Sequence, residues 1–207
     1  MNKQTMKIKG NIAPEFEGTE DKAIQVSVNL RLITCFLLAV FALFGVDVFA
    51  QEQVQSRGTQ LLVPFKQELQ AALRSGMDKG VLEAIAACQI QAPRISDSLS
   101  REGIRVGRTS HRLRNPDNAP PGWVKPILDA YVDGSEEPEP FLVSLPNNRE
   151  GYVEPIRMKP LCTTCHGVAI ASDVQNKLKT LYPDDRAVGF KVGELRGLFW
   201  VEYPTEQ

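Results

Sequence analysis

One stretch of this chain combines residue types and spacing that do chemistry together: Leu161-Cys162-Thr163-Thr164-Cys165-His166-Gly167. Cys-x-x-Cys-His is the attachment pattern of c-type haem. Two thiols add across the two vinyl groups of one porphyrin, and the adjacent histidine offers a neutral imidazole nitrogen to the iron. Other uses of the same residues ask for more than the sequence supplies. A structural zinc needs two further thiols or imidazoles at similar spacing, and there is no second Cys-x-x-Cys. A thioredoxin-like pair needs a strand-turn-helix setting, and a plain disulfide has no need of the histidine. The expectation is one covalently attached haem c, with Cys162 and Cys165 as its thioether residues and His166 as a metal ligand.

Covalent haem attachment is carried out on the outer face of bacterial membranes or in the thylakoid lumen, so the chain is expected to be exported. Residues 32–46 contain no charged side chain, and Val48-Phe49-Ala50 places small residues at the last and third-last positions of a secretory cleavage site. The run is short for a membrane span, which needs about 20 residues, and reads as a signal peptide cut after Ala50. The thirty residues ahead of it, with acids at Glu15, Glu17, Glu20 and Asp21, make a long leading segment. An uncut membrane anchor and a start downstream of Met1 therefore stay open. The expected organisation is a leader over residues 1–50 and one haem domain over residues 51–207, placed in the periplasm or the thylakoid lumen.

Cysteine accounting isolates one more thiol. Of the 4 cysteines, Cys35 lies in the leader and two belong to the motif, which leaves Cys88 alone. A leftover cysteine in an exported protein is a small buried hydrophobe, an intermolecular disulfide partner or a thiol with a task. Charge carries less information. A net charge of -1 gives no pull toward nucleic acid or an anionic membrane surface.

The elements that must position these residues follow from periodicity. Leu62, Phe65, Leu69 and Ala72 predict an amphipathic helix over residues 52–75, ending near Gly76. A second helix begins after Gly80 and places Val81, Ile85 and Cys88 on one face, with an interruption expected at Pro93. On spacing alone Cys88 reads as a core cysteine. Residues 104–114 predict a strand thick with cations. A solvated face is the ordinary explanation, but guanidinium forks bind carboxylates bidentately and haem carries two propionates, so Arg108, Arg112 and Arg114 are candidates to hold them. Residues 115–121 are turns, and Trp123, Ile127, Leu128 and Tyr131 predict a short helix ending near Gly134. Residues 141–145 and 152–158 flank a turn and predict a hairpin that runs into the Cys-x-x-Cys-His motif. A helix over residues 170–181, a break at Tyr182-Pro183-Asp184-Asp185 and a strand over residues 195–203 close the domain.

Four blocks in this order carry a resemblance: Ala84-Ile85-Ala86-Ala87-Cys88-Gln89 with Ala92-Pro93; Arg108-Thr109-Ser110 with Arg114-Asn115-Pro116-Asp117-Asn118-Ala119-Pro120; Lys159-Pro160-Leu161-Cys162 through Gly167; and Tyr182-Pro183-Asp184-Asp185 with Gly189-Phe190-Lys191-Val192-Gly193-Glu194-Leu195-Arg196-Gly197. Over residues 80–203 the chain resembles the PAS-like, singly haemylated c-type cytochrome domains of cyanobacteria and proteobacteria. The resemblance implies an α+β fold, an antiparallel PAS-like sheet flanked by helices. It also implies a cysteine as the sixth iron ligand, and the matching position is Cys88.

A haem with both axial positions filled by protein leaves substrate no iron site, so an enzyme is not expected. The expected function is a low-potential electron-transfer cytochrome whose partners are redox proteins. The alternative is a redox or gas sensor acting through a partner, since the chain has no room for an output domain of its own. A peroxidase-like site would need a distal His and Arg, for which His111 and Arg112 are the candidates. Membrane association through the N-terminal segment and homodimerisation both stay open.

Overall fold

The computed structural model describes residues 46–206, with side chains from Arg57 onward. The leading segment and the apolar run up to residue 45 lie outside the described residues. Contacts divide the chain after Ala50, and the fold below is that of the unit Gln51–Gln207. Among the described residues no helix is long and apolar enough to cross a membrane.

The elements are α1 (Val46–Met77), α2 (Val81–Leu99), β1 (Arg105–Thr109), α3 (Lys125–Asp133), β2 (Phe141–Leu145), β3 (Arg149–Arg157), α4 (Thr163–His166), α5 (Ser172–Leu181) and β4 (Leu195–Pro204). Short 3-10 turns lie at Pro116–Asn118 and Pro160–Cys162. The strands form one four-stranded sheet in the order β1-β4-β3-β2, every neighbouring pair antiparallel.

Alternation along the strands gives this sheet two apolar faces. Val106, Tyr152, Val201 and Tyr203 face Leu62 and Phe65 of α1 and Ile95 of α2. Val153, Leu198 and Trp200 face Val124 and Leu128 at the start of α3. Two glycines set how closely large rings approach: a Cβ at Gly107 would collide with the Trp200 indole, and one at Gly151 would lie 2.8 Å from that of Trp123. The two indoles then meet edge to face, 6.4 Å apart. The result is the α+β architecture, an antiparallel sheet flanked by helices, that the resemblance implies.

Two elements differ from their sequence-based expectations. Helix α2 runs through Pro93 to Leu99. A proline inside a helix costs about 3 kcal/mol, but Ala92 and Ile95 on either side of it are buried, and stopping at Pro93 would strip Ile95 from the core. Strand β1 stops at Thr109 instead of continuing to residue 114. The Ser110 hydroxyl donates to the Arg196 carbonyl at 2.6 Å and accepts the Arg112 amide at 3.1 Å, which turns the backbone out of the ladder. Arg108, Arg112 and Arg114 therefore do not line one strand face.

The remaining elements lie near their expected places, with α1 beginning earlier at Val46 and β3 earlier at Arg149, where Arg149 and Glu150 pair with Leu145 and Ser144 and shorten the turn. Gly134 ends α3 with φ 78°, and the β2–β3 turn uses Asn147 and Asn148 at φ 60° and 52°, a left-handed backbone that Asn tolerates better than most residues. A third apolar cluster lies outside the sheet, where Ile85 of α2 packs on Val174 and Leu178 of α5 and on Tyr182. Gln89 ties this seam by donating to the Leu181 carbonyl at 3.0 Å.

Candidate functional site

Strand β3 leads directly into the motif. Pro160 opens the 3-10 turn, where its missing N–H costs nothing, and the chain continues into the single turn α4. The Cys162 amide bonds the Lys159 carbonyl at 2.9 Å, and the Thr163 hydroxyl donates to the Pro160 carbonyl at 2.7 Å. The segment before β4 is laced to the same turn from outside, with Gly189 N–H on the Gly167 carbonyl and Phe190 N–H on the His166 carbonyl, both at 2.9 Å. Cys162 then packs beside Met158, Ala187 and Phe190, whereas Cys165 packs into the α2–α5 seam. Cys88, Cys162 and Cys165 are all free thiols.

The His166 ring is fixed by one contact. Its Nδ1 lies 2.7 Å from the Ala187 carbonyl oxygen. A carbonyl can only accept, so Nδ1 carries the proton and Nε2 keeps its lone pair. Burial holds the imidazole down to about 2, and the neighbouring guanidiniums of Arg196, Arg114 and Arg108 push in the same direction, against the Ala187 hydrogen bond. His166 is therefore a neutral, oriented imidazole, the form that binds a metal.

Helix α2 brings the fourth cysteine to the same place. Cys88 lies one turn beyond Ile85, half-buried; burial raises the Cys165 and Tyr182 pKa values, and Cys88 is near enough to add to both. Burial pushes the Cys88 thiol up, while Arg108 and then Arg114 draw it back. Burial also pushes up Cys165, with Arg114 again opposing. The structure thus gathers Cys88, Cys165 and His166 under a shared group of cations.

Those cations divide into two kinds. Arg114 is committed: its Nε donates to Asp185 at 3.0 Å and its Nη2 to the carbonyls of Cys165 and Ala187 at 2.5 and 3.3 Å. Arg112 is committed too. It donates to the Val188 carbonyl at 2.9 Å and lies 3.5 Å above the centroid of the Phe190 ring. Arg108 and Arg196, by contrast, have no carboxylate within salt-bridge distance among the described residues. Arg196 is the more unusual, because its Nε is buried with no hydrogen-bond partner. Desolvation and the cations around it lower it to about 9, although a guanidinium at neutral pH remains charged.

Arg196 was not among the residues that composition or spacing singled out. It is an extra residue in a bulge: Ile156 pairs with Gly197 and Arg157 with Leu195, so nothing on β3 opposes it. A bulge re-aims a side chain without leaving a mark in the hydrophobic pattern. Gly197 is the only local clue, since a Cβ there would collide with the Thr109 carbonyl oxygen. His111 and Arg112 lie beside Phe190, whose ring also meets His166 edge-on, and so stand on the His166 side of the site.

These donors fit a porphyrin better than a bare metal ion. Among the described residues no three His, Cys, Asp or Glu side chains are arranged to hold an ion. A porphyrin supplies four nitrogens itself, which leaves the protein to provide only axial ligands, thiols for its vinyl groups and cations for its carboxylates. An adjoining cleft of about 160 Å³, lined by Phe65, Pro93, Ser96, Asp97 and Arg108 among others, is small beside the roughly 300–1,000 Å³ of ordinary ligand pockets.

Comparison with known proteins agrees with this chemistry. No curated protein matches the chain. Among solved structures, the cyanobacterial haem protein Tll0287 matches with a TM-score of 0.52 and 25% sequence identity, over 75% of this chain and 97% of that one. A family model described as Tll0287-like matches residues 40–204. The chain belongs to the Tll0287-like family.

Proposed function

We propose that this protein is an exported haem c protein that moves single electrons to or from another protein. The observation that carries the reading is the arrangement around His166: a proton fixed on Nδ1 by Ala187, a free Nε2, Cys165 in the adjoining seam and the Cys88 thiol near enough to act on Cys165. Membership of a family whose solved relative is a haem protein supports it. Cys162 and Cys165 would hold the porphyrin by thioethers, and His166 and Cys88 would bind its iron. The group supplies a one-electron couple. The chain's own residues orient the ligands, exclude water from the α2–α5 seam and set the charge.

Electron exchange needs access, and the surface at the motif offers it. Leu161, Val168, Val188 and Val192 are exposed there by 56%, 72%, 41% and 57%, next to the exposed cations Lys159, Arg186 and Lys191. Apolar side chains at a polar rim suit a transient redox partner. Two protein axial ligands argue for a carrier over an enzyme, and the attachment chemistry argues for the periplasm or the thylakoid lumen. A sensor reading draws on the same Cys88, because the burial that pushes its thiol up favours release of a protonated sulfur. Optical and paramagnetic resonance spectra of the exported protein in both oxidation states test the proposal. It expects a low-spin ferric centre with a thiolate and an imidazole, and a bis-histidine or high-spin ferric centre would contradict it.

A further inference from the structure

We infer that Arg196 is the internal binding site for one carboxylate of the porphyrin, reached through a bulge in β4. The inference rests on the haem reading above and adds a residue that neither the motif nor the cation-rich stretch at 104–114 supplies.

Three independent observations support it. The first is the orphaned donor: the Arg196 Nε is buried with no acceptor, and a buried guanidinium N–H without a partner costs far more than an exposed one. The second is the charge balance. Among the described residues no carboxylate lies within salt-bridge distance of Arg196, and Asp185, which acts on it, is already paired with Arg114 at 3.0 Å. An anion supplied by a ligand would satisfy both the donor and the charge. The third is placement. Arg196 is unopposed in the register between β3 and β4, its carbonyl is clamped by the Ser110 hydroxyl at 2.6 Å, and its guanidinium lies 5.2 Å from the Phe190 centroid. Phe190 in turn meets the His166 ring edge-on at 6.5 Å. Only a long contact of 3.4 Å to the Arg112 carbonyl engages the Arg196 Nη1, which leaves the fork available.

Arg112 and Arg114 cannot take this role without losing their own partners, and Arg108, though also without a carboxylate, has no buried donor left unpaired among the described residues. Releasing Arg114 would abandon Asp185 and the Cys165 carbonyl, and releasing Arg112 would abandon the Val188 carbonyl. Arg196 has no such commitment. A bidentate guanidinium–carboxylate pair in a poorly solvated place is among the stronger polar contacts available to a protein.

The consequence is electrostatic. A cation beside the cofactor disfavours the ferric state, so removing it, which leaves the carboxylate's negative charge uncompensated, lowers the midpoint. The test is potentiometry and resonance Raman spectroscopy of the haem-loaded protein, with Arg196→Gln and Arg196→Lys beside the parent. Gln is expected to shift the midpoint downward by about tenfold in the oxidation equilibrium at fixed solution potential, and to move the propionate bending band. Lys is expected to restore most of the midpoint but not the band, since it keeps the charge and loses the fork. If Arg196→Gln does not accumulate, the band shift in Arg196→Lys decides alone. Unchanged propionate bands in the variants that accumulate would overturn the assignment of Arg196. Absence of covalent haem in the parent would instead remove the haem reading itself.

Discussion

Arg114 and Cys165 are joined across the fold: the Arg114 Nη2 donates to the Cys165 carbonyl while its Nε pairs with Asp185. The side chains of the ion pair are 13% and 9% exposed, so the contact is made largely away from water. This cation holds the backbone of the motif in place. Arg114→Leu should therefore unfold the chain more readily, by about 3 kcal/mol, the usual cost of stranding one member of a buried pair. Arg112, on the exposed side of Phe190, should cost under about 1 kcal/mol when replaced by Ala. Urea unfolding of both variants checks the contrast, and equal losses would remove Arg114 from this role.

The sheet has its own sensitive point at Gly107. Its replacement by Ala drives a methyl group into the Trp200 indole, whereas nothing lies within 4 Å of a Cβ at Gly122. Gly107→Ala should cost about 1–3 kcal/mol, the range for overpacked cores. Gly122→Ala should be close to neutral. Thermal melts of the two variants measure the difference.

The state of His166 gives a prediction in pH. In the folded chain without haem the imidazole is held to about 2, mainly by burial, while the unfolded chain titrates near its ordinary value of about 6.5. Between these values the unfolded state binds a proton that the folded state refuses, so this residue lowers stability as pH falls from about 6.5 toward 2. Above about 6.5 it contributes no slope. Denaturant titrations of haem-free protein should show His166→Gln losing less stability than the parent between pH 6.5 and 4.5. Parallel curves would contradict the neutral, buried imidazole.

Cys88 separates carrier from sensor. Thiolate ligation stabilises ferric iron, so Cys88→Met should raise the midpoint. For a carrier, stopped-flow mixing of the reduced protein with carbon monoxide should show fast, saturating binding in Cys88→Ala and little in the parent. Equal binding in both would favour the sensor, since it would mean that the sulfur leaves on reduction.

Much of this could be read from residue order, and the exceptions have physical causes. Val81, Ile85 and Cys88 recur at helical spacing, and α2 does turn Val81 and Ile85 toward α5, because one apolar stripe has one place to go. The hairpin running into Cys162 was equally legible from its turn residues. Pro93 misled because local propensity is a weak term beside burial of Ala92 and Ile95. The strand expected over 104–114 ended early because a serine hydroxyl, Ser110, offered the backbone another partner. Arg196 stayed hidden for a different reason. A bulge is a property of two strands in register, and β3 and β4 are far apart in sequence.

The central claim is covalent haem on Cys162 and Cys165, and intact mass spectrometry of the haem-loaded protein tests it most directly, before and after acid-acetone extraction. The account predicts a mass increased by one haem that survives denaturation and extraction, and that is lost when both cysteines are replaced by Ala. A polypeptide that returns to its bare mass on extraction would contradict it.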